Sequence, residues 1–446
     1  MADLAARIDI YSSWGTEAFP YPKSTDAVRH MSLLDCGDLV VYRALVGRLM
    51  PSIVLALRDM PAYAARLVDP PPRWRLENPY SAHRRFREKS LALLQGDDGL
   101  ACVTDWTRFF ESIQLANLEF FLMSCPRPDA GAVAALSNLL SQWHARSPVR
   151  GLPIGPEASS VLGNAFMTPI DRCFVPDVCP HARWMDDIVF SGLEENIADQ
   201  LGLVDEISAY MGVARSVAKT RILPKAQARS EIQDLALDYV AAGMRARPQV
   251  GGQRLRDLFD AKVIESPNAL RRTFRFTIGG MLKHRDEYAI VPLSQDRVLA
   301  NLDPRLTAEY LGTLGMRDDT VRSDMLATID SQPSDTHDAL RLHYLKAFAR
   351  NGKYGRSEGT LFMSIALNAA ERAPVRAWAW MAARRTSEWR PKEATEFGIA
   401  EDNRLVARAA VASLKGHQDE MALRRFRYHV DRRRPLLRFT ARWAAA

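Results

Sequence analysis

Asp186 and Asp187 stand together in the run RWMDDIVF (183–190), whose other residues are apolar apart from Arg183. Two adjacent carboxylates in such company are costly to bury unless something pairs with them. The run therefore reads as a β-hairpin whose tip presents carboxylates into a cleft. A third acid, Asp105, ends a short apolar strand in LACVTDWTRFFESI (100–113) and is followed by aromatics. On adjacent strands the three would form a carboxylate cluster, and like charges that close repel. Divalent metal is the usual remedy, and hard oxygen ligands with room for water and phosphate suit Mg²⁺. Two such ions about 4 Å apart activate an attacking oxygen and stabilise the leaving one in phosphoryl transfer. The constellation predicts a nucleotidyl-transfer site.

The chain's other acidic pairs have plainer readings. Asp97 and Asp98 sit between glycines in QGDDG and read as a solvated turn, although the stretch also mimics the GDD signature of RNA-dependent RNA polymerases. Asp318 and Asp319, in GMRDDTVRSDML, read as a helix start, where acids favour the macrodipole. Between the two parts of the candidate site lies GLPIGPEASSVLGNAFMTPID (151–171). It reads as a Gly/Pro loop, a Ser159 or Ser160 cap, then a helix with Val161, Leu162, Ala165 and Phe166 inward.

The elements that position these residues belong to a long chain. With 446 residues, 47% hydrophobic and 25% charged, it is expected to form two or three soluble domains. The net charge of +7 is compatible with a polyanionic partner. Five cysteines without a C-x-x-C pair suggest neither a zinc site nor a disulfide framework, so a reducing cytoplasm is expected. The N-terminus lacks the pattern of a signal peptide. The apolar stretch 39–57 carries Arg43 and Arg48, so it reads as a core helix and no membrane is expected. The run VDPPPRWRLENPY (68–80) reads as an extended connector, and RARPQVGGQR (245–254) as a break in helical patterning. From about residue 255, apolar residues recur at three and four, as in DALRLHYLKAFAR (338–350), which predicts stacked helical hairpins.

The order of the motifs resembles the reverse transcriptase family, in particular its abortive-infection and defence-associated bacterial branch. The aspartate-plus-aromatic element, then G-x-P-x-G-x-x-x-S, then aromatic-x-D-D follow in the family's sequence over about half the chain. MGVARSVAKTRILP (211–224) resembles the next element, centred on Lys219. YPKSTDAVRHMSLLDCGDLVVYRALVGRLMP (21–51) resembles the fingers region. The resemblance implies an α+β fold, a right-hand polymerase palm and fingers followed by an all-α helical-repeat C-terminal domain. Its parts would be fingers over 1–100, palm over 101–225 and a thumb-replacing, HEAT-like repeat over 226–446. It implies that Asp105, Asp186 and Asp187 hold two Mg²⁺ ions, or Mn²⁺ in their place. Lys23 and Arg29 would grip the triphosphate, and Lys219 would sit at the pyrophosphate leaving group. Gly155 would lie in the nucleotide-binding loop, and Phe110 would be the steric gate that crowds a ribose 2′-OH.

Two positions depart from the family pattern: Trp184 stands where Tyr is frequent, and Ile154 where many templated members carry Gln. The implied partners are deoxynucleoside triphosphates, RNA and/or DNA, and further copies of the chain in a homo-oligomer. The implied activity is DNA synthesis in anti-phage defence, protein-primed and untemplated in some members of the branch. Its alternatives are an RNA-templated reverse transcriptase with a dedicated RNA partner and a non-catalytic nucleic-acid-binding scaffold. Two runs that mix arginine with aromatics, 73–87 and 424–443, are candidate nucleic-acid contacts, each with a charged helix face as its plain alternative.

Overall fold

In a computed structural model the described residues are 13, 16–23, 27–67, 75–96, 98–146, 150–233, 240, 244, 248–265 and 271–415. The arginine-rich run 424–443 and Asp97 lie outside them. The fold is α+β and mostly helical, with one two-stranded and one four-stranded sheet. The chain divides into two compact units: Met1–Ala18 with His30–Leu235, and Phe19–Arg29 with Ala236–Ala446.

The small sheet pairs β1 (Thr16–Pro22) with β2 (Val28–Leu34). The four-stranded sheet holds β3 (Leu100–Thr104), β4 (His181–Trp184), β5 (Asp187–Gly192) and β6 (Arg221–Pro224), in the order β4-β5-β3-β6. Every pairing in it is antiparallel, with β3 central between β5 and β6. Alternation sends Cys102, Ile188 and Phe190 into the main core of the first unit, while Ala101 packs on the other face with Leu94 and Ala228. Both faces of the central strand are therefore covered, as its unbroken apolar sequence requires.

The long helix Cys36–Leu57 buries Val41, Tyr42, Leu45, Leu49 and Ile53 in that core. By length and composition it is also apolar enough to cross a membrane. Its two central arginines find acids within the unit: Arg48 pairs with Asp129 at 2.9 Å and Arg43 with Glu157. The described part of the 73–87 run opens the helix Pro79–Leu93, capped by Asn78. Arg85 there pairs with Glu77, Arg84 with Glu88 at 3.5 Å, and Arg87 donates to the carbonyls of Ile232 and Gln233.

In the second unit, helices starting at Arg271, Pro304, Asp338, Ala373 and Arg404 pack one on the next. Asp319–Ile329, Arg356–Leu367 and Pro391–Ala400 alternate with the later ones, each packing on the helix that follows it. Asp318 caps the first of these, accepting from Thr320 N–H at 2.8 Å, so that acidic pair is a helix start. A repeat too weak to see in the sequence shows in the buried ions. Arg341 Nε donates to Ile329 O and its guanidinium pairs with Glu371; Arg376 Nε donates to Ala366 O and its guanidinium pairs with Glu401. Each arginine thus binds the end of the preceding helix to the turn that leads into the next helix of the stack.

Candidate active site

The sheet brings two of the three acids to neighbouring strand ends. The last paired couple between β3 and β5 is Thr104↔Ile188, and the next residues outward are Asp105 and Asp187. On the other side, Trp184 pairs with Asp187, closing the β4–β5 hairpin through Met185 and Asp186. Met185 takes a φ of 59°, the left-handed region that a non-glycine side chain rarely adopts. Such a turn persists only when its surroundings hold it.

Arg183 supplies that hold. Its side chain is completely buried, and Nε and Nη2 reach the Asp171 carboxylate at 2.7 and 2.5 Å. Nη1 donates to Asn164 Oδ1 and to the Met185 carbonyl, both at 2.8 Å, and Nη2 also reaches Asn164 O at 3.1 Å. One guanidinium therefore joins strand, helix and turn through all three nitrogens. Burial alone would push the Asp171 carboxyl up; the charge and hydrogen bonds of Arg183, with His181 beside it, hold it below its ordinary value. Its backbone is fixed as well, since Arg183 N donates to Pro61 O and Tyr63 N to Arg183 O, both at 2.9 Å. The Trp184 ring lies 5.0 Å from the His83 ring and 6.2 Å from that of Phe86.

Asp105 is 8% exposed. Its backbone carbonyl accepts from Ser216 N at 2.8 Å, which ties it to the segment that carries Lys219. The Lys219 ammonium, on the 3-10 turn Val217–Lys219, donates to Asp105 Oδ2. Asp105 Oδ1 is buried without a hydrogen-bond partner. The Lys219 segment is pinned by Arg215, which binds Asp205 and the Thr220 hydroxyl, itself 2.7 Å from Thr104 Oγ1.

The loop between the motifs is held against β2. Ser32 and Ile154 exchange two hydrogen bonds, from Ser32 N to Ile154 O at 2.8 Å and from Ile154 N to Ser32 Oγ at 3.2 Å. Gly155 has a φ of 123°, and a Cβ there would meet Met31 Cε at 3.1 Å. The helix begins at Glu157 after Pro156, so Ser159 lies inside it and is no cap. Its hydroxyl is 2.9 Å from Tyr42 OH, a partner 117 residues away that no local pattern announces. Val161, Leu162, Ala165 and Phe166 do face inward. Phe110 is half-buried; its ring packs on Phe109 and on Gly163, where a Cβ would come within 3.1 Å of it. Lys23 and Arg29 are exposed and belong to the second unit, where Arg29 adds to the positive field around Arg271.

Carboxylate oxygens are the donors a hard cation takes, and the orphaned Asp105 Oδ1 is an acceptor of that kind. The fit is one of donor type and strand register: among the described residues no three His, Cys, Asp or Glu side chains are gathered as a metal site. Lys219 is the counter-charge that Asp105 has here. Burial pushes the Cys102 thiol up to about 12 and those of Cys125 and Cys173 up to about 11.

No protein-family model matches the sequence, and no curated protein matches it. Among solved structures, this chain is similar to the telomerase from Candida albicans in complex with a TWJ fragment of telomeric RNA. The identity is 10% and the TM-score 0.35, over 75% of this chain and 65% of the telomerase chain. A likeness at that level carries no argument about chemistry, which rests on the residues above.

Proposed function

We propose that the chain is a nucleotidyltransferase that adds deoxynucleotides to a growing strand, with Asp105, Asp186 and Asp187 as its catalytic acids. The observation that carries this reading is the strand register that sets Asp105 beside Asp187, next to a strained turn bearing Asp186. The three carboxylates would hold Mg²⁺, which when bound would offset the charge of the reacting phosphates and lower the pKa of the attacking hydroxyl.

The chain's own residues do the rest. A hydroxyl oxygen attacks the α-phosphorus, the bond to pyrophosphate breaks, and the hydroxyl proton passes to solvent. Lys219, now bound to Asp105 Oδ2, turns to a phosphate oxygen of the triphosphate and protonates the pyrophosphate as it leaves. Gly155 admits the nucleotide close to the loop backbone. Phe110 closes the space a 2′-OH would need. The resemblance to the abortive-infection branch is the support for a role in defence against phage.

The test uses purified chain, Mg²⁺ and labelled deoxynucleotides without template, beside Asp186→Ala/Asp187→Ala. Incorporation that falls at least about a thousandfold in the double variant supports the reading. A label that shifts on proteinase treatment would make a protein hydroxyl the primer, while labelling only with added RNA and primer would favour the templated alternative. No incorporation under either condition, with ribonucleotides also tried, would leave a scaffold that binds nucleic acid. Phe110→Ala is expected to raise ribonucleotide use about tenfold or more relative to the parent.

A further inference from the structure

The second unit carries a positive band that the carboxylate site does not use. Arg271 and Arg275 lie one turn apart on the helix Arg271–His284, and Arg305 lies in the first turn of Pro304–Tyr310. His343, Lys346 and Arg350 share one face of Asp338–Arg350, at helical spacings of three and four. These three helices pack in succession, so the cations cross the layer from one helix to the next. The acid among them is Asp303, which pairs with Arg275 and lies 3.7 Å from Arg271 Nε. That Nε is buried without a hydrogen-bond partner.

Aromatic rings lie between the cations. The Arg271 guanidinium sits 5.5 Å over the Tyr21 ring, Tyr21 meets His343 edge-on at 6.1 Å, and Lys346 Nζ sits 5.2 Å over the Trp378 ring. The crowding is felt by the imidazole and the ammonium. Burial, then Lys346, Arg305 and Arg350, push the His343 imidazole down to about 3 despite Asp303. Burial, then Arg350 and Arg305, push the Lys346 ammonium down to about 8. Folding gathers these like charges against their own repulsion, which an anion laid along them would relieve.

We infer that this band is a track for the sugar-phosphate backbone of a single-stranded nucleic acid, with its phosphates on Arg271, Arg305, Lys346 and Arg350 and its bases against Tyr21 and Trp378. A band running over three packed helices, each roughly 8–10 Å from the next, suits an extended polyanion better than a single nucleotide. An acidic polypeptide would meet the same cations but would bring no planar bases to the rings. The track needs no chemistry at the carboxylates, so it stands or falls separately from the proposed transfer reaction.

The test is fluorescence anisotropy of a labelled oligothymidylate on the full chain carrying Asp186→Ala, which removes synthesis. Arg305→Glu/Arg350→Glu, two exposed positions, should weaken binding at least about tenfold and flatten the logarithmic salt dependence by about 1.4, some 0.7 for each lost phosphate contact. Lys392→Glu on the exposed face of another helix should stay within about twofold, and circular dichroism with a thermal midpoint shows that each variant is folded. A folded double variant that binds within twofold of its parent would overturn the track. So would polyglutamate of matched charge competing as well as unlabelled oligothymidylate, which would assign the band to an acidic protein.

Discussion

Arg183 in the first unit and Arg341 in the second are both fully buried arginines held by carboxylates, yet they do different work. Arg341 binds Asp338 and Glu371 and the Ile329 carbonyl, joining one helical repeat to the next. Arg376 does the same one repeat later, so the role is structural and recurrent. Arg183 binds Asp171 and Asn164 but gives its remaining donor to Met185 O, inside the turn that bears Asp186. A buried ion pair by itself therefore does not mark a site. What marks one is a buried pair holding a backbone conformation that the chain would otherwise avoid, beside groups with chemistry to perform.

Removing either arginine is expected to have the largest effect, and the same one. Arg183→Ala and Arg341→Ala each leave a carboxylate buried without its partner, at a cost of about 3–5 kcal/mol in urea unfolding. The conservative variants should separate them. Lysine keeps the charge but offers no planar fork, so Arg183→Lys would release Met185 O and slow incorporation about 10- to 100-fold with little change in KM. Arg341→Lys should leave incorporation within about twofold. Equal losses in the two lysine variants would erase the distinction.

Acid should act next. Asp171 has a depressed folded-state pKa, so its contribution is fully present above the unfolded value of about 3.9 and is lost as pH falls through the folded value. The urea midpoint should therefore drop below about pH 4, and Arg183→Met should flatten that drop. The smallest effect is alkaline and of opposite cause. Lys346 has a folded-state pKa of about 8, below its ordinary 10.5, so the unfolded chain binds more protons between the two values. This group's term makes stability rise with pH across that window, by about 1–2 °C in the thermal midpoint. Oligonucleotide affinity should fall as pH rises through about 8, where Lys346 of the folded chain loses its charge, and Lys346→Arg should remove both trends.

The parts of this arrangement that were legible in the sequence are those with local pattern. Apolar density on both sides of Asp186 and Asp187 announced the hairpin, and the apolar run before Asp105 announced its strand. Recurrence at three and four announced the helical repeats of the second unit. The Arg183 clamp was not foreseen, because Asn164 and Asp171 lie 19 and 12 residues away with no periodic relation to it. The available signal was the lone arginine in an apolar strand, which burial obliges to find acids. Ser159 was misread for the same reason: a serine after a Gly/Pro loop looks like a cap, and only the distant Tyr42 hydroxyl explains it as a core residue. The basic band is not legible in the sequence because its cations and rings are spread over four helices and the 19–29 segment, with no periodic relation between them.

The central claim is that Asp105, Asp186 and Asp187 act together on a divalent cation, and Mn²⁺ titration followed by electron paramagnetic resonance tests it most directly. The account predicts that the parent chain binds Mn²⁺ in competition with Mg²⁺. It also predicts that Asp105→Asn and Asp187→Asn each lose that binding while keeping the parent's thermal midpoint within a few degrees. Unchanged Mn²⁺ binding in both folded variants would contradict it, and the acids at the end of the sheet would not be a metal site.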